Sequence, residues 1–247
     1  LAREGIATMR FDDRGYGVNG FKSLNYTIDD HKTDAEEGVK MLRSRFKNVG
    51  VLGHSEGGTI ALMLASEGKA DFAVSLAGMV VSGRETLLAQ NLNTLKQAGL
   101  PQEQMDALYG AVQMLFDQII EGKSIANIVN QDNVPDNLKP VIQQAVAQID
   151  NPYMRHFLTV NISKSLQNIK CPVLALNGKS DTQVDCESNL NTLSKGLINC
   201  KHKTVAYDGL NHLFQHCKTG QLAEYHEIEE TISTDVLKEI IDWVKGL

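Results

Sequence analysis

The sequence has no stretch of about 18 consecutive apolar residues, so it offers no segment able to cross a membrane as a helix. It also lacks a basic excess. Across 247 residues, 24 Lys+Arg stand against 30 Asp+Glu for a net charge of −6, which removes the electrostatic footprint of a nucleic-acid binder. The four cysteines, Cys171, Cys186, Cys200 and Cys217, contain no C-x-x-C pair and no metal-ligand spacing. Isolated thiols are expected, with a Cys186–Cys200 or Cys200–Cys217 bridge left open by sequence. Internal repeats and low-complexity tracts are missing. Leu1-Ala2-Arg3-Glu4-Gly5 carries neither an initiator Met nor the layout of a signal peptide, so a cytoplasmic or periplasmic location stays undecided. What is present is ordinary for a globular chain: 42% hydrophobic and 22% charged residues, at a length suited to one large α/β domain or a domain with an insertion.

Five short apolar runs read as strands: residues 6–11, 49–52, 72–76, 173–176 and 204–207. Most lack strict alternation and helical stretches separate several of them, the pattern of a mostly parallel sheet with helices on both faces. Between the first two runs, Asp29 or Asp30 is placed to cap a helix reaching Phe46, with Val39, Met41, Leu42 and Phe46 inward. Near the C-terminus, Val236, Leu237, Ile240, Ile241 and Val244 form one stripe behind a cap at Ser233 or Thr234.

Residues 84–165 differ. Leu87, Leu88, Leu92 and Leu95 suggest one helix. Pro101 opens a second, with Met105, Leu108, Tyr109, Val112, Leu115, Phe116, Ile119 and Ile120 at three- and four-residue steps. Val141, Ile142, Ala145, Val146 and Ile149 follow Pro140 as a third. Strand signals are missing throughout, which fits a βαβ crossover poorly. The expected organisation is an α/β core of residues 1–83 and 166–247 with a helical lid at 84–165 over the C-terminal edge of the sheet.

The chemistry centres on Gly53-His54-Ser55-Glu56-Gly57-Gly58. An apolar run feeds a G-x-S-x-G pentapeptide, and a helical run follows at once. Ser55 then lies at the tip of a sharp strand-to-helix turn, the nucleophile elbow, where Gly53 and Gly57 are expected to leave room for backbone approach. The helix directs free N–H groups and the positive end of its dipole at whatever binds there. A serine hydroxyl needs a base, normally His, oriented by a carboxylate. After the strand at 173–176 comes Asn177-Gly178-Lys179-Ser180-Asp181, with Asp185 a rival four residues on; Asp181 is favoured as nearer the strand end. After the strand at 204–207 comes Asp208-Gly209-Leu210-Asn211-His212, which puts His212 on a strand-end loop. The order Ser, Asp, His is that of hydrolases built on an open α/β sheet. His54 is expected to point away from Ser55.

With these stretches, Asp12-Asp13-Arg14-Gly15-Tyr16-Gly17 and the segment from Cys171 to Asp181, the chain resembles the α/β-hydrolase superfamily, and within it bacterial serine esterases. The resemblance implies an α/β-hydrolase fold and cleavage of carboxylic esters through an acyl-enzyme, with no metal and no organic cofactor; the helical roof, by bounding the pocket, points to small or aryl esters rather than polymers. The resemblance assigns Ser55 as nucleophile, Asp181 as orienting acid and His212 as general acid/base. The Glu56 backbone N–H becomes one oxyanion-hole donor. In that family three strands precede the one at 6–11, and the loop after the third supplies the second donor. The expectation is therefore that N-terminal strands are missing and that the second donor lies upstream of Leu1, on a segment or partner chain that completes the sheet. A thioesterase, acyltransferase or serine peptidase on the same triad is the rival enzyme; a non-catalytic binding module is the rival of another kind. Arg14 is expected to fix its loop by pairing with carboxylates. The Glu56 carboxylate should point away from the oxyanion or pair with Arg14 or Arg155. Tyr153, Arg155, His156 and Phe157 close the insertion, with solvated or core positions expected ahead of a place in the pocket lining. Gln215 and residues 224–230 receive no role beyond a solvated loop.

Overall fold

Four runs pair into one parallel sheet whose spatial order repeats the chain order: β1 (Val51–His54), β2 (Ala73–Leu76), β3 (Val173–Gly178) and β4 (His202–Tyr207). The register sets Val51 beside Ala73, Ala73 beside Val173 and Val173 beside His202. The computed structural model describes residues 1–14, 25–123, 143 and 149–247. Every residue of β2 and β3 is buried, as their mostly apolar composition predicts; Ser75 and Asn177 are the polar exceptions. Val74, Leu76, Leu174 and Leu176 face one side and meet Val236 and Ile240 of the last helix. Ala73, Val173 and Ala175 face the other and meet Ile60, Leu64 and Leu193. Burying each large aliphatic side chain there contributes roughly 1.5–3 kcal/mol.

The helices on these faces are α1 (Ile28–Arg43), α2 (Glu56–Ser66), α6 (Cys186–Gly196) and α7 (Thr234–Lys245). Thr27 caps α1 in a capping box with Asp30, whose Oδ2 accepts from the Thr27 N–H at 2.8 Å. Ser233 caps α7. Two inward assignments on α1 fail. Val39 is buried, but Met41 is 65% exposed, and Phe46, past the helix end, is 43% exposed. On α7, Val236 and Ile240 are buried, whereas Leu237, expected on the same stripe, is exposed.

Residues 6–11 form no strand. Their apolar composition suits one, but Met9 and Phe11 rest against Gly38 of α1, and no described strand runs alongside. Ordering a strand costs about 1–2 kcal/mol per residue in backbone entropy. Ladder hydrogen bonds worth about 0.5–1.5 kcal/mol each offset that only when a neighbour accepts them. The second strand begins two residues later than its composition indicates, because the Val49 N–H donates to Asp71 Oδ2 at 2.8 Å instead of entering the ladder. Among the described residues the outer edge of β1 is unpaired. A groove of about 370 Å³ runs beside it, bounded by Met9, Phe11, Val39, Leu52 and the turn at Ser55.

Between β2 and β3 lie α3 (Gly83–Gln97), α4 (Gln102–Ile120) and α5 (Pro152–Thr159). They pack on one another around Leu88, Leu115, Phe116, Ile119 and Leu158, a core separate from those of the sheet. Leu108 and Ile120, expected on the apolar stripe of α4, are exposed. The helix expected after Pro140 lies outside the described residues except for Gln143 and Ile149. No helix among the described residues is long and apolar enough to cross a membrane.

Candidate active site

All four strands run the same way, so the segments following β1, β3 and β4 emerge at one edge, the edge where open α/β sheets bind ligands. Ser55 follows β1 directly. Its N–H donates to the Leu76 carbonyl at 2.8 Å, extending the β1–β2 ladder by one rung before α2 starts at Glu56. To make that reversal the backbone of Ser55 takes φ 56° and ψ −119°, a region that L-residues avoid. Gly53 is required for it: a Cβ there would stand 2.0 Å from the Gly57 carbonyl oxygen. The second required glycine is Gly58 and not Gly57. A Cβ on Gly58 would meet Gly78 Cα at 2.9 Å, whereas one on Gly57 would meet nothing within 4 Å. Glu56 and Gly57 head α2, where backbone N–H groups have no partner within the helix.

The structure brings Asp181 and His212 together: Asp181 Oδ2 is 2.7 Å from His212 Nδ1, and both side chains are buried. Asp181 Oδ1 accepts from the N–H groups of Gln183 and Val184 at 2.8 and 2.9 Å, so the carboxylate is held at both oxygens. Asp185 is used elsewhere. It caps α6, accepting from the Ser188 N–H at 2.8 Å. The His212 loop carries its own scaffold, which the sequence did not reveal. Asn211 Oδ1 accepts from the Leu213 and Gln215 N–H groups at 3.0 Å each, and Gln215 Nε2 donates to the Glu230 carbonyl at 2.7 Å. Phe214, at φ 59°, completes the turn.

His54 does not stand apart from this chemistry. Its Nε2 donates to the His212 carbonyl at 2.7 Å, and the two rings lie 4.6 Å apart. Desolvation where its ring packs, then the neighbouring His212, hold the His54 imidazole below its ordinary pKa, which suits a neutral donor to a carbonyl. The strand that presents Ser55 thus also props the His212 loop. On the other side, α3 reaches the loop behind Asp181: Gln90 Nε2 donates to the Gln183 carbonyl at 2.9 Å and Asn93 Nδ2 to that of Thr182 at 3.2 Å.

The partners expected for Glu56 are replaced by others. Arg14 binds Asp34 (Nε to Oδ2, 2.5 Å) and Asp30 (3.2 Å), as carboxylate pairing predicts, and Arg155 pairs with Asp150. Glu56 is held by His31 Nδ1, 2.6 Å from Oε1, and by the Tyr153 hydroxyl, which donates to Oε2. His156, one turn along α5, pairs with Asp29 at 3.2 Å. No periodicity links residue 31 to residue 56, so sequence gave no sign of His31. Residues 224–230 are likewise more than a solvated loop. Glu224 accepts from the Thr219 hydroxyl and the N–H groups of Lys218, Thr219 and Gly220, and these bonds, the hydroxyl first, hold its pKa down at about 2. None of the four cysteines is bridged, and burial pushes the Cys171 and Cys186 thiols up to about 11, far from thiolate chemistry at neutral pH.

Residues 1–216 match the family model described as "Serine aminopeptidase, S33". No match is found among curated protein sequences. Among solved structures, the chain is similar to the Pyrococcus furiosus esterase Pf2001 in three crystal forms. In the P21 form the identity is 18%, covering 99% of this chain and 72% of that one, with a TM-score of 0.50. In the P212121 form the identity is again 18%, covering 83% of this chain and 62% of that one, also at 0.50. It is also similar to the meta-cleavage product hydrolase CumD from Pseudomonas fluorescens IP01, at 13% identity over 95% of this chain and 78% of that one, with a TM-score of 0.49. Against the C2221 and P212121 forms the chain spans 62% of the esterase's length. At 18% identity the likeness to the esterase is one of fold, the α/β-hydrolase fold.

Proposed function

The chain belongs to the S33 serine aminopeptidase family of α/β-hydrolases, and from that premise we propose that it cleaves carboxylic esters through an acyl-enzyme formed on Ser55. The observation that carries the reading is the buried Asp181–His212 pair, at the edge of the sheet where Ser55 occupies the strained turn. His212 Nδ1–H donates to Asp181, so the other ring nitrogen, Nε2, is the one free to exchange a proton with Ser55. In the first half-reaction His212 takes the Ser55 proton as Oγ attacks the ester carbonyl, and returns it to the leaving alcohol. In the second, His212 takes a proton from water, and the acid leaves as Ser55 regains its own. The Glu56 N–H at the head of α2 stabilises the oxyanion in both halves. Residues 84–165 serve as the lid that bounds the acyl or alcohol pocket, with the acid loop tied to it through Gln90 and Asn93.

The family's description favours a second reading, an aminopeptidase. That activity needs a carboxylate to receive the substrate ammonium. Glu56, next to Ser55 in the chain, has both oxygens engaged by His31 and Tyr153, which supports the ester reading. Fluorophosphonate labelling tests the nucleophile: Ser55 should be modified and Ser55→Ala inert. Turnover of p-nitrophenyl esters against aminoacyl p-nitroanilides separates the two readings. Unlabelled protein indistinguishable from Ser55→Ala would end both.

A further inference from the structure

Glu56 heads α2, and its side chain branches from the same Cα as the N–H that faces the reacting carbonyl in the proposed mechanism. Glutamate is a demanding choice there, because a carboxylate near a developing oxyanion opposes it unless it is bound and directed elsewhere. Here both oxygens are bound, each by a different element: Oε1 by His31 of α1, Oε2 by Tyr153 of α5. The partners are themselves fixed by ring contacts. Tyr26 lies 4.8 Å from the His31 ring and 5.9 Å from that of Tyr153, and Tyr153 stacks on Phe157 at 5.9 Å. His31 and Glu56 retain 14% and 25% of their side-chain exposure, so water competes little for these bonds. The His156–Asp29 pair ties the same two helices a turn further on.

We propose that Glu56, His31 and Tyr153 form a positioning unit that sets the Ser55–Glu56 peptide for oxyanion binding and makes that setting depend on α5 being seated. This rests on the reading of Ser55 as nucleophile. The side-chain tethers restrain rotation about the Glu56 backbone, and with it the direction of the N–H. They also draw the negative charge toward α1 and α5. Because Tyr153 belongs to the helical segment between β2 and β3, lifting α5 releases one oxygen of Glu56 and loosens the donor. Placement of the segment and competence of the site are thereby linked through a single carboxylate. His31 and Tyr153 are positioning residues; neither is asked to touch substrate.

The test uses the full chain, a fluorophosphonate probe and p-nitrophenyl butyrate. Tyr153→Phe should lower kcat and the labelling rate about tenfold, the worth of one hydrogen bond to a charged group, with KM within about twofold of wild type. Glu56→Ala should lower kcat further. Glu56→Gln, which keeps an oxygen for His31 and offers an NH2 to the Tyr153 oxygen, should recover most of the loss. Adding Tyr153→Phe to Glu56→Ala should cost nothing more, since the tether is already gone. A purely structural role would move the melting temperature and leave kcat of the folded fraction unchanged. That result, a loss confined to KM, or multiplicative losses in the double variant would each overturn the proposal. If Glu56→Ala does not fold, Tyr153→Phe and Glu56→Gln decide alone, by the same kcat and labelling criteria. Wild-type protein that does not label would overturn the Ser55 reading, and this inference with it; wild type that labels no faster than Tyr153→Phe would overturn this inference only.

Discussion

Replacing Asp181 by Asn exchanges one acceptor oxygen for an NH2 group at a point where three donors converge: the Gln183 and Val184 N–H groups on Oδ1 and the imidazole of His212 on Oδ2. The amide can face only one way. Turning its NH2 to the two backbone donors would forfeit two buried hydrogen bonds at about 1–3 kcal/mol each, against one if it faces His212. The amide oxygen therefore stays with Gln183 and Val184, and the NH2 points at His212 Nδ1. A donor in that position requires Nδ1 to accept, which moves the imidazole proton to Nε2. The nitrogen that should take the Ser55 proton is then already protonated. Catalysis should fall about 10⁴-fold, or about 5 kcal/mol of barrier, as in triads where the acid is made an amide. Stability should change by no more than about 1–2 kcal/mol, because one bond is exchanged and no cavity opens. Steady-state kcat/KM on p-nitrophenyl butyrate, read beside the thermal midpoint, measures both. Retention of more than a tenth of wild-type kcat/KM by a folded Asp181→Asn would refute the reasoning, most directly if Asp185→Asn were the variant that lost activity.

Asp185→Ala should lower stability by about 1 kcal/mol through loss of the α6 cap while leaving kcat within about twofold; denaturant titration and ester turnover check the two halves. Gly53→Ala should abolish the folded state or the elbow, given a Cβ 2.0 Å from the Gly57 oxygen, whereas Gly57→Ala should fold with a near-native circular dichroism spectrum; the reverse ranking would show the turn is built differently. Glu224 has its pKa lowered from 4.5 to about 2, so it contributes stability above about pH 4.5 that is lost as pH falls toward about 2. Glu224→Gln should therefore narrow its stability gap to wild type across that interval, and a gap independent of pH would count against the bonded loop.

Buried strands and reactive loops could be read from the sequence because each leaves a local mark. Residues 73–76 and 173–176 are apolar at every position but Ser75, and Asp181 and His212 each follow a strand end at short range. What could not be read depends on neighbours distant in the chain. Residues 6–11 have a strand's composition, but a strand also needs an adjacent strand, which no local pattern reports. Met41 fits the apolar stripe of α1, yet which arc of that helix meets the sheet is decided by the path of the chain around it. Glu56 finds partners 25 positions before it and 97 after, so charge logic turned to arginines that were already committed to other carboxylates. Gly57 and Gly58 are indistinguishable in a sequence; only the proximity of Gly78 separates their roles.

Ser55, Ala77 and Phe214 are the non-glycine residues with positive φ among the described residues, and all three lie at the rim where β1, β2 and the His212 loop end. The other positive-φ positions, from Gly5 to Gly220, are filled by glycine. Each such non-glycine backbone costs on the order of 1–3 kcal/mol. Ser55 is consequently where the protein has stability to gain: Ser55→Gly should raise the melting temperature as it removes the hydroxyl. A library sorted for thermal resistance alone would drift first at Ser55, because Ala77 and Phe214 are buried in the core and Phe214 would forfeit about 3–5 kcal/mol of packing on truncation. Selection for durability and selection for turnover therefore pull against each other at Ser55, and a stabilised descendant that keeps this residue would have to find its gain elsewhere.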